Sequence, residues 1–145
     1  MRLTGTFDTA ASRDVLRALV GAPEVLAGVP TFTDLEVRSD GTINVQFHPV
    51  TSLGRISLDT VITPGDVTDE SAEVSVIGRR GNQIVDAAIV MRFADAAGGS
   101  RVDWAAEVLI GGTAASVGQR VGADLARRAI GDVLEAAATS SVRSR

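Results

Sequence analysis

The sequence contains no cysteine, no lysine and no tyrosine, and aromatic residues make up only 3% of its 145 positions. Without cysteine, the chain has no disulfide, no thiolate nucleophile and no cysteine-ligated zinc or iron–sulfur site. Without lysine and tyrosine, it has no Schiff-base amine, no P-loop lysine and no phenolic acid. Much of the usual repertoire of catalytic side chains is therefore excluded.

The rest of the composition is that of an ordinary folded domain. Hydrophobic residues form 45% and charged residues 22% of the chain, as in average globular proteins. The formal net charge of −4 and the scarcity of aromatic residues argue against nucleic-acid binding. No apolar run reaches the length of a signal peptide or of a membrane-spanning helix of about 18 residues, so we expect a cytoplasmic protein.

The first thirty residues predict one strand and two short helices. Apolar and polar residues alternate from Leu3 to Phe7, which is the pattern of a strand with one buried face. Ser12 is the predicted N-cap of a short helix, and Gly21 is predicted to end this helix in a left-handed conformation. Pro23 suits the first turn of a second short helix that ends at Ala27.

From Phe32 to Ile110 the chain alternates between apolar and polar residues in segments separated by turn residues. Turns are predicted at Ser39-Asp40-Gly41, Pro64-Gly65-Asp66 and Arg79 to Asn82, with a loop at 96–100. The pattern predicts about six meandering antiparallel strands, each with one apolar face.

The last part of the chain predicts a long helix. Thr113 can cap a helix of about 25 residues from Ala114 to Ala138, roughly 40 Å long at 1.5 Å per residue. We therefore divide the chain into one domain, residues 1–138, and a polar C-terminal tail, residues 139–145. The predicted fold class is α+β: a curved antiparallel sheet of about seven strands around the long helix, with two short helices after the first strand.

Four stretches of the sequence match the motifs of a known protein family: Met1 to Phe7, Ala22 to Pro30, Leu53 to Leu58, and Gly111 to Arg120. The last one, a double glycine followed by Gly118-Gln119-Arg120, is the most specific. In this order the four stretches resemble the carbon monoxide dehydrogenase CoxG family of the START-like, or SRPBCC, superfamily. The resemblance implies a helix-grip fold that holds a ligand between sheet and helix.

The resemblance also implies that the protein serves molybdenum-containing carbon monoxide dehydrogenase and related respiratory oxidoreductases. The implied role is either recruitment of the enzyme to the membrane or delivery of an isoprenoid quinone to it. The implied partners are a menaquinone-like isoprenoid quinone or a lipid, the oxidoreductase itself, and the inner face of the cell membrane as a peripheral contact. No metal and no covalently bound cofactor are expected.

The leading hypothesis is a non-catalytic carrier whose cavity lies between the long helix and the inner face of the sheet. Such a cavity selects ligands by size and hydrophobicity, because apolar burial drives the binding. The residues expected around the ligand are the apolar, inward-facing ones of the strands and helix: Val45, Phe47, Leu58, Val74, Ile89, Met91, Trp104, Val117, Val121 and Leu125.

A ridge of small residues on the long helix allows two interpretations. Ala114, Gly118, Gly122 and Ala126 recur at four-residue spacing, and each helical glycine costs about 1 kcal/mol relative to alanine. The small side chains either leave space for a ligand under the sheet or allow close packing of the helix backbone against a strand.

Two other functions remain open. One is a cyclase-like or dehydratase-like enzyme of the same superfamily, which would need an acid or base such as His48 or Asp86 inside the cavity. The strand pattern instead places His48, the one histidine, and the strand carboxylates on the polar face; these carboxylates are Asp59, Glu73, Asp86, Asp103 and Glu107. The other function is a docking or assembly factor that acts through its surface, with a fully packed core. The arginine pairs at 79–80 and 127–128 could contact lipid headgroups or an acidic partner, although solvated arginine pairs are the commoner case.

Overall fold

A seven-stranded antiparallel sheet and a long C-terminal helix form the body of the protein. The computed structural model describes residues 1–51, 54–111 and 115–143, and the side chains of these residues except 51, 115–121 and 141–143. Along the chain the described elements are β1 (Arg2–Thr9), α1 (Arg13–Leu19), α2 (Pro23–Leu26), β2 (Phe32–Val37), β3 (Ile43–Phe47), β4 (Val50–Thr51), β5 (Gly54–Arg55), β6 (Leu58–Val67), β7 (Ser71–Arg80), β8 (Gln83–Ala96), β9 (Gly99–Gly111) and α3 (Ala115–Arg143).

The strands of the large sheet follow the order β1-β9-β8-β7-β6-β3-β2, and each neighbouring pair is antiparallel. The chain thus meanders from β2 to β9, and β1 pairs with β9 at the far edge. The two-residue strands β4 and β5 form a separate hairpin. The predicted sheet of about seven antiparallel strands is confirmed, as are the two short helices after the first strand and the long C-terminal helix.

The alternation of apolar and polar residues along the strands sets which face is buried. On β9, Val102 and Val108 are buried, whereas Asp103 and Glu107 between them are exposed. The inner face packs against α3, whose Leu134 and Ala137 are almost inaccessible to solvent. One core cluster joins α1 and α3 to β8 and β9, and a second joins α2 and α3 to β2, β3 and β6.

The short helix α1 begins as predicted but ends differently. The Ser12 hydroxyl accepts a hydrogen bond from the Val15 amide at 3.4 Å, which confirms Ser12 as the N-cap. The predicted left-handed Gly21 is wrong, because the C-cap is Val20 in the right-handed helical region and Gly21 has no positive φ. Pro23 follows three residues after Val20 and begins α2. Because proline lacks an N–H and disfavours helical backbone angles in the residue before it, α1 ends here without a glycine cap.

The predicted turns at Ser39-Asp40-Gly41 and at the end of β7 are confirmed. Gly41 and Gly81 have φ values of +89° and +57° that suit glycine. The hydroxyl of Thr42 donates to the Asp40 carboxylate at 2.7 Å, and this hydrogen bond lowers the pKa of the Asp40 carboxyl below its ordinary value.

The predicted turn at Pro64-Gly65-Asp66 is wrong, because β6 continues through these residues to Val67. Pairing of β6 with β3 ends at Ile62, so Pro64 lies where only β7 is a neighbour. A strand tolerates proline at such a one-sided position because no ladder hydrogen bond is lost. The register between β6 and β7 shifts between Pro64 and Val67, and the chain turns instead after Val67.

The long helix α3 runs further than predicted. Its last residue is Arg143 rather than the predicted Ala138, so residues 139–143 are helical. No glycine or proline occurs between Asp132 and Arg143 to stop it. The predicted cap Thr113 lies outside the described residues. No helix in the described part of the chain combines the length and the apolar character needed to cross a bilayer.

Gly5 and Trp104 form a tight contact that ties β1 to β9. They are direct partners in the β1–β9 register, and the indole ring lies over the glycine. A Cβ atom at Gly5 would come within 2.6 Å of Cε2 and 2.7 Å of Nε1 of Trp104. The indole ring can pack here only because Gly5 has no side chain.

We expect Gly5→Ala to lower the free energy of unfolding by about 1–3 kcal/mol, because the added methyl group forces the indole out of its packed position. Urea denaturation followed by Trp104 fluorescence measures this change. Gly131→Ala is the matched control: nothing lies within 4 Å of a Cβ at this helical glycine, so we expect stabilisation by roughly 0.5–1 kcal/mol. Equal effects of the two substitutions would contradict the packing role of Gly5.

Candidate functional site

A cavity of about 400 Å³ lies between α3 and the inner face of the sheet. Its sheet wall comes from β2, β3, β6, β7 and β8, and its helix wall comes from the middle of α3. Residues of α1 and the link to α2 border it at one end, including Ala18 and Gly21. The lining is almost entirely apolar.

Six of the ten side chains predicted around the ligand lie on the cavity wall. They are Phe47, Leu58, Val74, Ile89, Met91 and Leu125. They come together because the inward phase of adjacent strands and one face of α3 enclose the same space. Their contact with a ligand stays a prediction.

Val45 and Trp104 are buried but lie off the cavity wall, contrary to the prediction. Val45 is enclosed in the core cluster that contains Leu26 and Val29, so its short side chain does not reach the open space. Trp104 extends sideways over Gly5. The side chains of the other two predicted residues, Val117 and Val121, lie outside the described residues.

The helix wall contains residues beyond the ten predicted around the ligand, and one of them, Ala126, belongs to the predicted ridge of small residues. Ala129 and Val133 follow Leu125 at four-residue spacing, and Ala126 and Ile130 form the adjacent row. Residues four apart lie on the same face of a helix, so this signal was present in the sequence. The contribution of α1 had no such signal, because it depends on how α1 packs against the sheet.

The ridge of small residues on α3 serves two different purposes. Ala126 lines the cavity, where its small side chain leaves space. Gly122 instead packs closely against β9: a Cβ there would collide with Cδ1 of Ile110 and come within 3.0 Å of its Cγ1. Ala114 and the side-chain surroundings of Gly118 lie outside the described residues.

His48 and Asp86, the candidate acid–base residues, do not line the cavity. His48 lies on the outer side of the sheet, where its ring nitrogens pair with the hydroxyls of Thr33 at 2.7 Å and Ser57 at 2.8 Å. The other strand carboxylates are exposed, and of these only Glu73 borders the cavity. Among the described residues, no group of three or more histidine, aspartate or glutamate side chains could hold a metal ion.

The arginine pair at 127–128 makes contacts within the protein. Arg127 donates to the carbonyl of Thr4 at 3.0 Å, and its guanidinium lies 5.8 Å from the centre of the Trp104 ring. Arg128 donates to the carbonyl of Val50 at 2.6 Å. These two arginines therefore attach α3 to the edges of the sheet structure, whereas Arg79 and Arg80 are exposed at the β7–β8 turn.

The exposed part of the lining marks a mouth between α1 and the β6–β7 hairpin. Ala18 of α1 faces solvent on one side, and Pro64 and Val67 face solvent on the other; Val67 is 64% exposed. Arg17 borders the cavity and donates to the carbonyl of Asp69, in the turn that joins β6 and β7. This hydrogen bond connects the two sides of the mouth.

A second arginine attaches α1 to another turn of the sheet. Arg13 lies 3.7 Å from Asp95, near the β8–β9 turn. Arg17 also lies 3.5 Å from Asp14 within α1. The helix is thus held at two points by arginines four residues apart.

We expect Arg17→Ala to speed amide hydrogen exchange at Thr68 and Glu70 by about threefold to tenfold, because the turn loses its tie to α1. Hydrogen–deuterium exchange followed by NMR measures this change. Arg13→Ala is the control, since it should affect the turn near Asp95 and leave Thr68 and Glu70 unchanged. Faster exchange at Thr68 and Glu70 in both variants would contradict a specific role of Arg17 at the mouth.

Comparison with known proteins defines the fold and the family. A conserved protein from Geobacillus kaustophilus is similar in structure, with a TM-score of 0.83 and 16% identity over 99% of this chain and 97% of that one. A START superfamily protein from Mycobacterium smegmatis matches with a TM-score of 0.69 and 10% identity over 99% of each chain. The structure of Ara h 8.0201 matches with a TM-score of 0.72 and 12% identity over 99% and 98%. At these identities the likeness concerns the fold, which is the predicted α+β helix-grip fold.

Sequence comparison identifies the family. No curated protein sequence matches this chain. The family model that describes CoxG, a carbon monoxide dehydrogenase subunit, matches residues 5–140. Because this match covers nearly the whole chain, the protein belongs to the carbon monoxide dehydrogenase CoxG family.

Proposed function

We propose that this protein is a non-catalytic carrier that holds an isoprenoid quinone or a related lipid for a carbon monoxide dehydrogenase or a related oxidoreductase. The observation that carries this proposal is the apolar cavity of about 400 Å³ under α3. Membership of the CoxG family supports the link to the enzyme. Acquisition of a quinone from the membrane would need a peripheral contact with the bilayer, which is part of the proposal.

The size and lining of the cavity support a ligand with a compact head and an apolar chain. Pockets for drug-sized ligands measure roughly 300–1,000 Å³, so this cavity holds a ring system and only the first part of a long chain. At the mouth, the exposed apolar residues Pro64 and Val67 give the rest of such a chain a way out beside Arg17 and Glu73. Burial of apolar ligand surface, at about 25 cal/mol per Å² before ordering costs, would supply the affinity.

The position of the ionisable groups supports carriage rather than catalysis. Among the described lining residues, the ionisable ones are Arg17 and Glu73, and both border the mouth region. An enzyme of the cyclase or dehydratase kind would need an acid or base beside the reacting atoms. The size of the cavity likewise favours a carrier over a docking factor with a fully packed core.

The direct test is organic extraction of the protein after expression in a quinone-containing host, followed by mass spectrometry of the extract. We expect close to one isoprenoid quinone or lipid per chain. An empty extract, together with no measurable quinone affinity of the protein, would contradict the carrier function and favour a docking role.

Filling the cavity should weaken ligand binding without unfolding the protein. Ala87 is buried and lines the cavity, whereas the next residue, Ala88, faces solvent on the other side of β8. We expect Ala87→Leu to raise the Kd for the neutral fluorescent probe N-phenyl-1-naphthylamine by about tenfold, because the larger side chain occupies ligand space.

Ala88→Leu is the matched control for this experiment, and its Kd should stay within about twofold of the wild-type value, because its side chain lies outside the cavity. Thermal denaturation should show that Ala87→Leu is at least as stable as the wild type, since filling a void often stabilises a fold. Equal Kd values for both variants and the wild type would place the probe outside the cavity.

A further inference from the structure

Thr60 is a polar residue on an otherwise apolar inner wall. Thr60 is 5% exposed. The other buried polar residue among the described ones, Ser100, donates its hydroxyl to the carbonyl of Ala11 and does not line the cavity. Thr60 does line the cavity. It is the third residue of β6 and pairs with Val45 of β3 and Gly78 of β7.

The hydroxyl of Thr60 can form more hydrogen bonds than the one it makes within the protein. It donates to the carbonyl of Leu58, two residues earlier in the same strand, at 3.1 Å. A hydroxyl has one donor and two acceptor lone pairs, and its hydrogen can rotate from this local partner to another acceptor. The lone pairs receive no hydrogen bond from the described residues.

Gly78 leaves open space beside this hydroxyl. It is the direct partner of Thr60 on β7 and also lines the cavity. A Cβ atom at Gly78 would lie 3.6 Å from the Thr60 hydroxyl oxygen and 3.8 Å from Cβ of Leu58, which are ordinary contacts, and Gly78 has no positive φ. Neither a clash nor the backbone conformation therefore requires glycine here, although glycine in a strand costs about 0.5–1 kcal/mol relative to alanine.

The pair lies inside the cavity, away from the mouth. Thr60 is four residues from Pro64 along β6, or about 13 Å at roughly 3.3 Å per residue. The cation that borders the cavity, Arg17, is at the mouth on α1. Among the described residues, a charged head group beside Thr60 would therefore be buried without a counter-ion, which is strongly unfavourable.

We propose that Thr60 and Gly78 form a binding notch for a neutral oxygen of the ligand, namely a ketone, quinone or alcohol oxygen, and so orient the ligand with its head inside and its chain toward the mouth. The hydroxyl of Thr60 hydrogen-bonds this oxygen, and the missing side chain of Gly78 provides its space. This inference rests on the proposed carrier function and narrows the ligand to a neutral class. Fatty acids and phospholipids, which have charged heads, would not place those heads in the notch.

The test compares two probes with the same carbon skeleton, 2-methyl-1,4-naphthoquinone and 2-methylnaphthalene, by displacement of bound N-phenyl-1-naphthylamine. The chain has no cysteine or lysine to react with the quinone. We expect Thr60→Val to weaken binding of the quinone by about threefold to tenfold, the effect of one neutral hydrogen bond. Binding of the hydrocarbon should stay within about twofold, because it makes no such bond, so the ratio of the two affinities changes.

Two further variants separate this role from a purely structural one. Thr60→Ser keeps the hydroxyl and should keep the preference for the quinone. Gly78→Ala introduces only ordinary contacts, so it should fold and yet lower the affinity for the quinone. A structural role of Thr60 would change stability without changing the ratio, and both of these variants remain informative if Thr60→Val fails to fold.

The outcomes distinguish this inference from the proposed function. If the wild type binds both probes and the ratio of quinone affinity to hydrocarbon affinity is the same in all variants, the proposed binding notch is contradicted, while the proposed carrier function is not. If the wild type binds neither probe, the carrier function is contradicted and the notch with it. A loss of preference for the quinone in Thr60→Val and Gly78→Ala, with preference retained in Thr60→Ser, supports the notch.

Discussion

One helix has to cover the apolar inner face of a seven-stranded sheet, and this constraint shapes the rest of the molecule. A helix has a diameter of about 10–12 Å with its side chains, whereas adjacent strands are about 4.8 Å apart. The sheet is therefore wider than α3, and the small residues Ala126 and Ala129 keep α3 from filling the space beneath it. The cavity follows from this mismatch between a wide sheet and a single helix with small side chains.

The remaining elements close the edges that α3 leaves uncovered. The helices α1 and α2 pack against the two core clusters. Arg13 and Arg17 connect α1 to turns of the sheet, and Arg127 and Arg128 connect α3 to backbone carbonyls of the sheet structure. Because arginine reaches far and presents several donors, it can join elements whose backbones do not touch.

Charge and polarity are divided sharply between the two faces of the sheet. Carboxylates such as Asp103 and Glu107 lie on the outer face, and His48 is bonded to hydroxyls there. The described inner wall carries one buried hydroxyl, that of Thr60. Such an interior supports the proposed carrier function, in which a ligand binds mainly through apolar area and through one polar contact.

The local pattern of the sequence determined the fold and much of the cavity wall. Period-two alternation predicted the strands and their inner face, and the resemblance to the CoxG family, carried by the four stretches, agreed with that fold. Phe47, Leu58 and Ile89 share the cavity wall because alternation along a strand follows from backbone geometry, and their contact with a ligand stays a prediction. The end of α3 was missed because no glycine or proline marks it, so the helix continues through a polar segment.

Tertiary structure decided the features that depend on neighbours distant in sequence. Pro64 has the character of a turn residue, but it is tolerated in β6 because β3 has already ended beside it. Trp104 belongs to the inward phase, yet its ring lies over Gly5 and away from the cavity. The sequence alone does not distinguish Thr60 from the other threonines. Its position on the cavity wall depends on Gly78, which pairs with it on β7, and on α3, which covers both residues. The sequence by itself determined which residues face inward, whereas only the packing of strands and helices decided which of them enclose open space, because that space is defined by atoms contributed from several elements at once.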